Sequence, residues 1–102
     1  MSNSKLNDVQ KTERKQLMQQ FLETDSTIDQ NPETGVTMVT VRDFPNSKMV
    51  RISFSFMSDD EQKFRRKVGE YHALHRMFWS GEYIYIPTNR VFDLWKTISA
   101  PI

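Results

Sequence analysis

A chain of 102 residues, 37% hydrophobic and 26% charged, suffices for a single domain with one modest core. Cysteine is absent, which excludes disulfide staples and thiolate zinc sites and fits a reducing compartment. With a net charge of +1, no apolar run of spanning length and no signal-peptide core, the chain is expected to be soluble and cytoplasmic.

Met1 to about Asn7 is polar. From Asp8 to Glu23 the composition favours a helix, with Leu6, Val9, Leu17 and Phe21 as an incomplete apolar stripe interrupted by Glu13. Such a helix needs a neighbour, either a stripe on the central helix or a second copy of the chain. Thr24 to Gly35 reads as an acidic, turn-rich connection. Val36 to Arg42 is a β-branched, alternating strand, and Asp43 to Lys48, centred on Pro45 and Asn46, is the hairpin turn that follows. Met49 to Met57 alternates cleanly. Val50, Ile52, Phe54 and Phe56 are expected on a core face, and Arg51, Ser53 and Ser55 on a solvent face.

Ser58 to Gly81 predicts the central helix. Ser58 with Glu61 forms a capping box, Asp59 and Asp60 suit the positive end of the dipole, and Gly81 is a stop. Phe64, Val68, Tyr71, Leu74, His75 and Phe78 share the face expected to meet the first strands. The opposite side is a stripe of Gln62, Gly69, Ala73 and Ser80. A mid-helix glycine costs about 1 kcal/mol relative to alanine. Gly69 is therefore either a tolerated exposed glycine or, with Ala73, a place where another helix or a ligand backbone comes close. Lys63, Arg65, Arg66, Lys67 and Arg76 face a single acid, Glu70, within the same span. This run is either a solvated face or an anion-binding surface.

Glu82 to Pro87 is a third strand, with Ile84 and Ile86 on one side and Tyr83 and Tyr85 on the other. Thr88 or Asn89 can cap a last helix through Ser99, where Val91, Leu94, Trp95 and Ile98 form an apolar stripe with Phe92 at its edge, before the stop at Pro101. The order α-β-β-α-β-α predicts an α+β two-layer sandwich. Its three-stranded antiparallel sheet runs second, first, third strand, with the central and C-terminal helices covering one face. Residues 1–30 form the N-terminal helix and connection, and residues 31–102 the ββαβα core domain.

Little in the chain points to catalysis. His72 and His75 are two potential ligands where a metal needs three or four, and no glycine-rich phosphate loop or nucleophile elbow is present. No enzyme activity, metal or cofactor is expected. Arg51 with Tyr83 and Tyr85 on the solvent face of the sheet is a candidate platform for bases, the alternative being tyrosines half-buried against each other or under the first helix.

The run Phe64, Arg66, Lys67, Gly69, Ala73 and Arg76, placed after a β-rich segment, resembles a pattern in small proteins encoded by bacteriophages. It covers one helix, and this chain has Glu70 and His75 where such relatives often have a small residue and a second basic one. The resemblance implies an accessory protein acting in the host cytoplasm and brings no activity with it. The expectation is a non-enzymatic binding or regulatory protein working through protein–protein contacts, including a homodimer. The alternative is nucleic-acid binding by the basic helix or the tyrosine–arginine sheet face, with no membrane partner in either case.

Overall fold

Two hairpins build the centre of the molecule, in a computed structural model that describes residues 5–58 and 63–101. The elements are α1 (Asp8–Leu22), β1 (Asp25–Asn31), β2 (Val36–Arg42), β3 (Met49–Phe56), α2 (Arg66–Phe78), β4 (Ile84–Pro87) and α3 (Val91–Ile98), with a single 3-10 turn at Thr88–Arg90 before α3. Among the described residues the sheet has four strands in the order β1-β2-β3-β4, every neighbouring pair antiparallel.

The fourth strand is β1, where a connection was expected. Its sequence lacks apolar alternation because it is an edge strand, held by pairing with β2 from Asp25↔Arg42 to Asn31↔Val36. The turn between them has local chemistry of its own. Asn31 Oδ1 accepts the Glu33 N–H at 2.9 Å, and Gly35, at φ +74°, donates to Asn31 O at 2.8 Å. With β1 on the outer edge of β2, the last strand cannot take that place. It lies beside β3 instead, from Met49↔Pro87 to Ile52↔Ile84, so the expected order second-first-third is corrected. β1 thus belongs to the same sheet, and Leu17 of α1 to the same core, as the elements after residue 31.

The expected two layers are three. α1 and α2 cover one face of the sheet, over Val39 and Val41, with Leu17, Tyr71, Ala73, Leu74 and Met77 completing that cluster. α3 covers the other face, where Met38, Val50 and Ile52 are buried under Val91, Leu94, Trp95 and Ile98. Hence Val50, Ile52 and Phe54 pack on α3 and not on α2, and Phe56 stays 59% exposed. α2 lies instead on the serine face of β3. Thr37, Ser53 and Ser55 are small and buried there, so the helix backbone can sit close. The Ser53 hydroxyl donates to Ala73 O at 2.7 Å, which removes the cost of burying it.

α2 also begins later than its sequence suggests. Ser58 is exposed and non-helical, the helix starts at Arg66, and Asp59, Asp60, Glu61 and Gln62 of the expected capping segment lie outside the described residues. Its buried positions are Gly69, Tyr71, Ala73, Leu74 and Met77, so the face turned to the sheet is the small-residue side, rotated from the expected one. Gly81, at φ +67°, does turn the chain out, with Glu82 N–H returning to Arg76 O at 2.8 Å.

α1 opens with a capping box between Asn7 and Gln10, at 2.8 and 3.1 Å. Glu13, which interrupts its apolar stripe, accepts the Tyr71 hydroxyl at 3.0 Å. Arg14 pairs with Glu70 at 2.9 Å, and Gln20 accepts Trp79 Nε1–H at 3.1 Å. These contacts climb both helices in step, so α1 and α2 run in the same direction and their N-termini meet at one end. α3 shows the expected stripe, with Phe92 exposed. Thr88 does not cap it but donates to Ser47 O at 2.9 Å. The C-terminal carbonyl of Ser99 is taken by Asn31 Nδ2 at 2.9 Å and Thr34 at 3.2 Å, tying α3 to the β1–β2 turn. Among the described residues no helix is long and apolar enough to cross a membrane.

Candidate anion-binding cleft

Bringing two helix N-termini together brings together their basic residues. Lys5, Lys11, Arg14 and Lys15 come from the α1 side of a cleft of about 560 Å³, and Lys63, Arg65, Arg66 and Lys67 from the α2 side. Its remaining walls are Leu6, Phe64 and Val68, and no carboxylate lines it among the described residues. Eight Lys and Arg residues therefore line one concavity, and their summed field favours an anion there.

The geometry of the rim follows from the fold. The N-cap of α2 is Arg65, in an extended conformation, and no side chain caps the first turn. That turn, from Arg66 onward, holds no acid among the described residues, so the positive end of the helix dipole adds to the charge of the cleft. Gln30 fixes its height above the sheet, donating to Arg66 O at 2.9 Å and to Thr37 Oγ1 at 3.1 Å. Arg14 is anchored on Glu70, the one acid of the basic run, with its side chain 20% exposed. Its Nε is buried and makes no hydrogen bond.

Of the five basic residues singled out on the central helix, Lys63, Arg65, Arg66 and Lys67 converge on this cleft. Arg76 does not. It stands at a smaller recess of about 160 Å³ beyond Phe64, and its guanidinium donates to Phe54 O, two residues past the last β3–β4 pair. The four α1-side cations were missed by reading the central helix alone. Lys11, Arg14 and Lys15 at i, i+3 and i+4 are the signal, since that spacing puts them on one helix face.

The other candidate sites fare differently. Gly69 and Ala73 are buried against the sheet, so they are not a surface for another helix. A Cβ on Gly69 would overlap Thr37 Oγ1 and lie 3.2 Å from Gln30 Nε2, which explains the glycine by close approach within the fold. Arg51, Tyr83 and Tyr85 do come together, with Arg51 5.0 Å from the Tyr83 ring centre and the two tyrosine rings 5.6 Å apart. Asp43 neutralises the group through a two-point pair with Arg51 at 2.6 and 3.1 Å. Burial opposes the Arg51 charge, but Asp43 and Tyr83 outweigh it and raise its pKa. Tyr85, exposed, is raised by its hydrogen bond and charge interaction with Tyr83. Tyr71 is raised by burial and then by its bond to Glu13. His75 bonds Ser80 through Nδ1 at 2.8 Å and contacts the Tyr71 and Trp79 rings.

No family model, curated protein or solved structure matches the chain.

Proposed function

We propose that this protein binds the phosphate backbone of a nucleic acid in the cleft between the N-termini of α1 and α2, as a non-enzymatic accessory factor of the kind the bacteriophage resemblance implies. The observation that carries the reading is the convergence of eight Lys and Arg side chains, from segments nearly fifty residues apart, with no acid lining the same cleft among the described residues. A face made for solubility mixes signs and places them on convex surface. Here one sign is concentrated in a concavity, which focuses the field on an approaching polyanion. The stripe that favours a protein partner in the sequence lies inside the fold, and so nucleic acid takes first place.

A charge-reversal pair tests it. Lys15→Glu with Arg66→Glu, one from each wall, should weaken binding of a labelled oligonucleotide by at least about tenfold at unchanged thermal midpoint. Lys96→Glu on α3, across the sheet, should leave affinity unchanged. Equal losses at both places would show only diffuse attraction, and the cleft would lose its role.

A second reading rests on another surface. Phe56 and Ile84 are 59% and 50% exposed on the α3 side of the sheet, and Ile84 belongs to β4, the end strand of the sheet order among the described residues. An antiparallel edge can pair with its own two-fold copy, so the partner would be a second copy of this chain. Light scattering that finds a monomer at high concentration removes this reading.

A further inference from the structure

Phe64 serves neither core. It is half-buried, yet it packs into neither the cluster under α1 and α2 nor the cluster under α3. Its ring instead forms a wall shared by the basic cleft and by the smaller recess that holds His72 and Arg76. Val68 lines both cavities too and likewise belongs to neither cluster. An aromatic ring and an aliphatic side chain thus stand between two hollows, outside both core clusters of the described residues.

We infer that Phe64 is a stacking platform and that the cleft takes single-stranded nucleic acid in preference to duplex. This rests on the phosphate-binding reading above and names the form of nucleic acid. Three features converge on it. Apolar walls of Leu6, Phe64 and Val68 beside cationic ones match an unpaired nucleotide, whose base has an apolar face and whose phosphate carries the charge. The cleft is concave and of small-ligand size, about 560 Å³, so a splayed base can enter it. A duplex keeps its bases stacked inside a convex cylinder of phosphates, and it would meet the cationic side chains while leaving the apolar walls unused. The recess beyond Phe64 continues the track for a strand, with Arg65 lining both hollows.

The test compares a labelled single-stranded oligonucleotide with the duplex of the same sequence, in DNA and in RNA, at one salt concentration. The single strand should bind at least about tenfold more tightly. Phe64→Ala should lower single-strand affinity by about tenfold, the size of one lost base stack, and leave duplex affinity and the salt slope unchanged. Phe64→Leu keeps the apolar volume without the π face and should lose nearly as much, which separates stacking from simple packing, while Phe64→Trp should retain binding. Duplex bound as tightly as single strand, with Phe64→Leu neutral, would overturn this inference and leave the phosphate-binding reading standing. Binding of neither form at low salt would overturn both.

Discussion

Ile52→Ala should destabilise the protein by about 2–5 kcal/mol, whereas Phe56→Ala, four residues along the same strand and on the same face, should stay within about 0.5 kcal/mol. Ile52 is fully buried between Met38, Val50 and the apolar stripe of α3, so truncation removes contacts on all sides and leaves a cavity. Phe56 touches Phe54, at 6.1 Å between ring centres, but most of its surface is already in water. Urea denaturation of the two variants beside wild type decides the matter. Similar costs for both would mean that the α3 layer does not end where it is placed here.

Gly69 should be among the least replaceable residues of α2. Alanine there gains about 1 kcal/mol of helix propensity. The added Cβ nevertheless overlaps Thr37 Oγ1 and approaches Thr37 Cβ to 3.3 Å, at a site where Thr37 is fully buried. Gly69→Ala should therefore cost about 1–3 kcal/mol net, and Gly69→Leu more, by forcing the helix off the sheet. The cause can be isolated. Thr37→Ala removes the overlapping oxygen, so in the Gly69→Ala background it should recover stability that it costs on its own, giving a favourable coupling in a double-mutant cycle. Additive losses would place the strain elsewhere. A stabilising Gly69→Ala would contradict the close helix–sheet contact itself.

Local pattern was legible and sidedness was not. The alternation of Met49 to Phe56 predicts one buried face correctly at Val50 and Ile52, and the stripe of Val91, Leu94, Trp95 and Ile98 predicts the buried side of α3. The same alternation marks Ser53 and Ser55 as solvent-facing, and both are buried. Small hydroxyls look polar in a sequence but can be satisfied by helix carbonyls at close range, as Ser53 is by Ala73. The corrective signal lay in β2, where consecutive Val36, Thr37, Met38 and Val39 are all buried. A strand apolar on both sides belongs to a sheet covered on both faces. β1 was hidden because its strand character comes from pairing and not from its own residues. Half of the cleft could be read from Lys63 to Lys67. The other half depends on α1 running alongside α2 in the same direction, a long-range fact that no local period encodes.

The most direct check on the cleft is the dependence of oligonucleotide affinity on salt. Each phosphate neutralised on a single strand adds about −0.7 to the slope of log K against log salt. With several of the eight cations engaged, wild type should show a slope of about −3, and Lys15→Glu/Arg66→Glu one shallower by about one to two units. A slope near zero, or no binding at low salt, would contradict the proposal that this cleft holds a phosphate backbone.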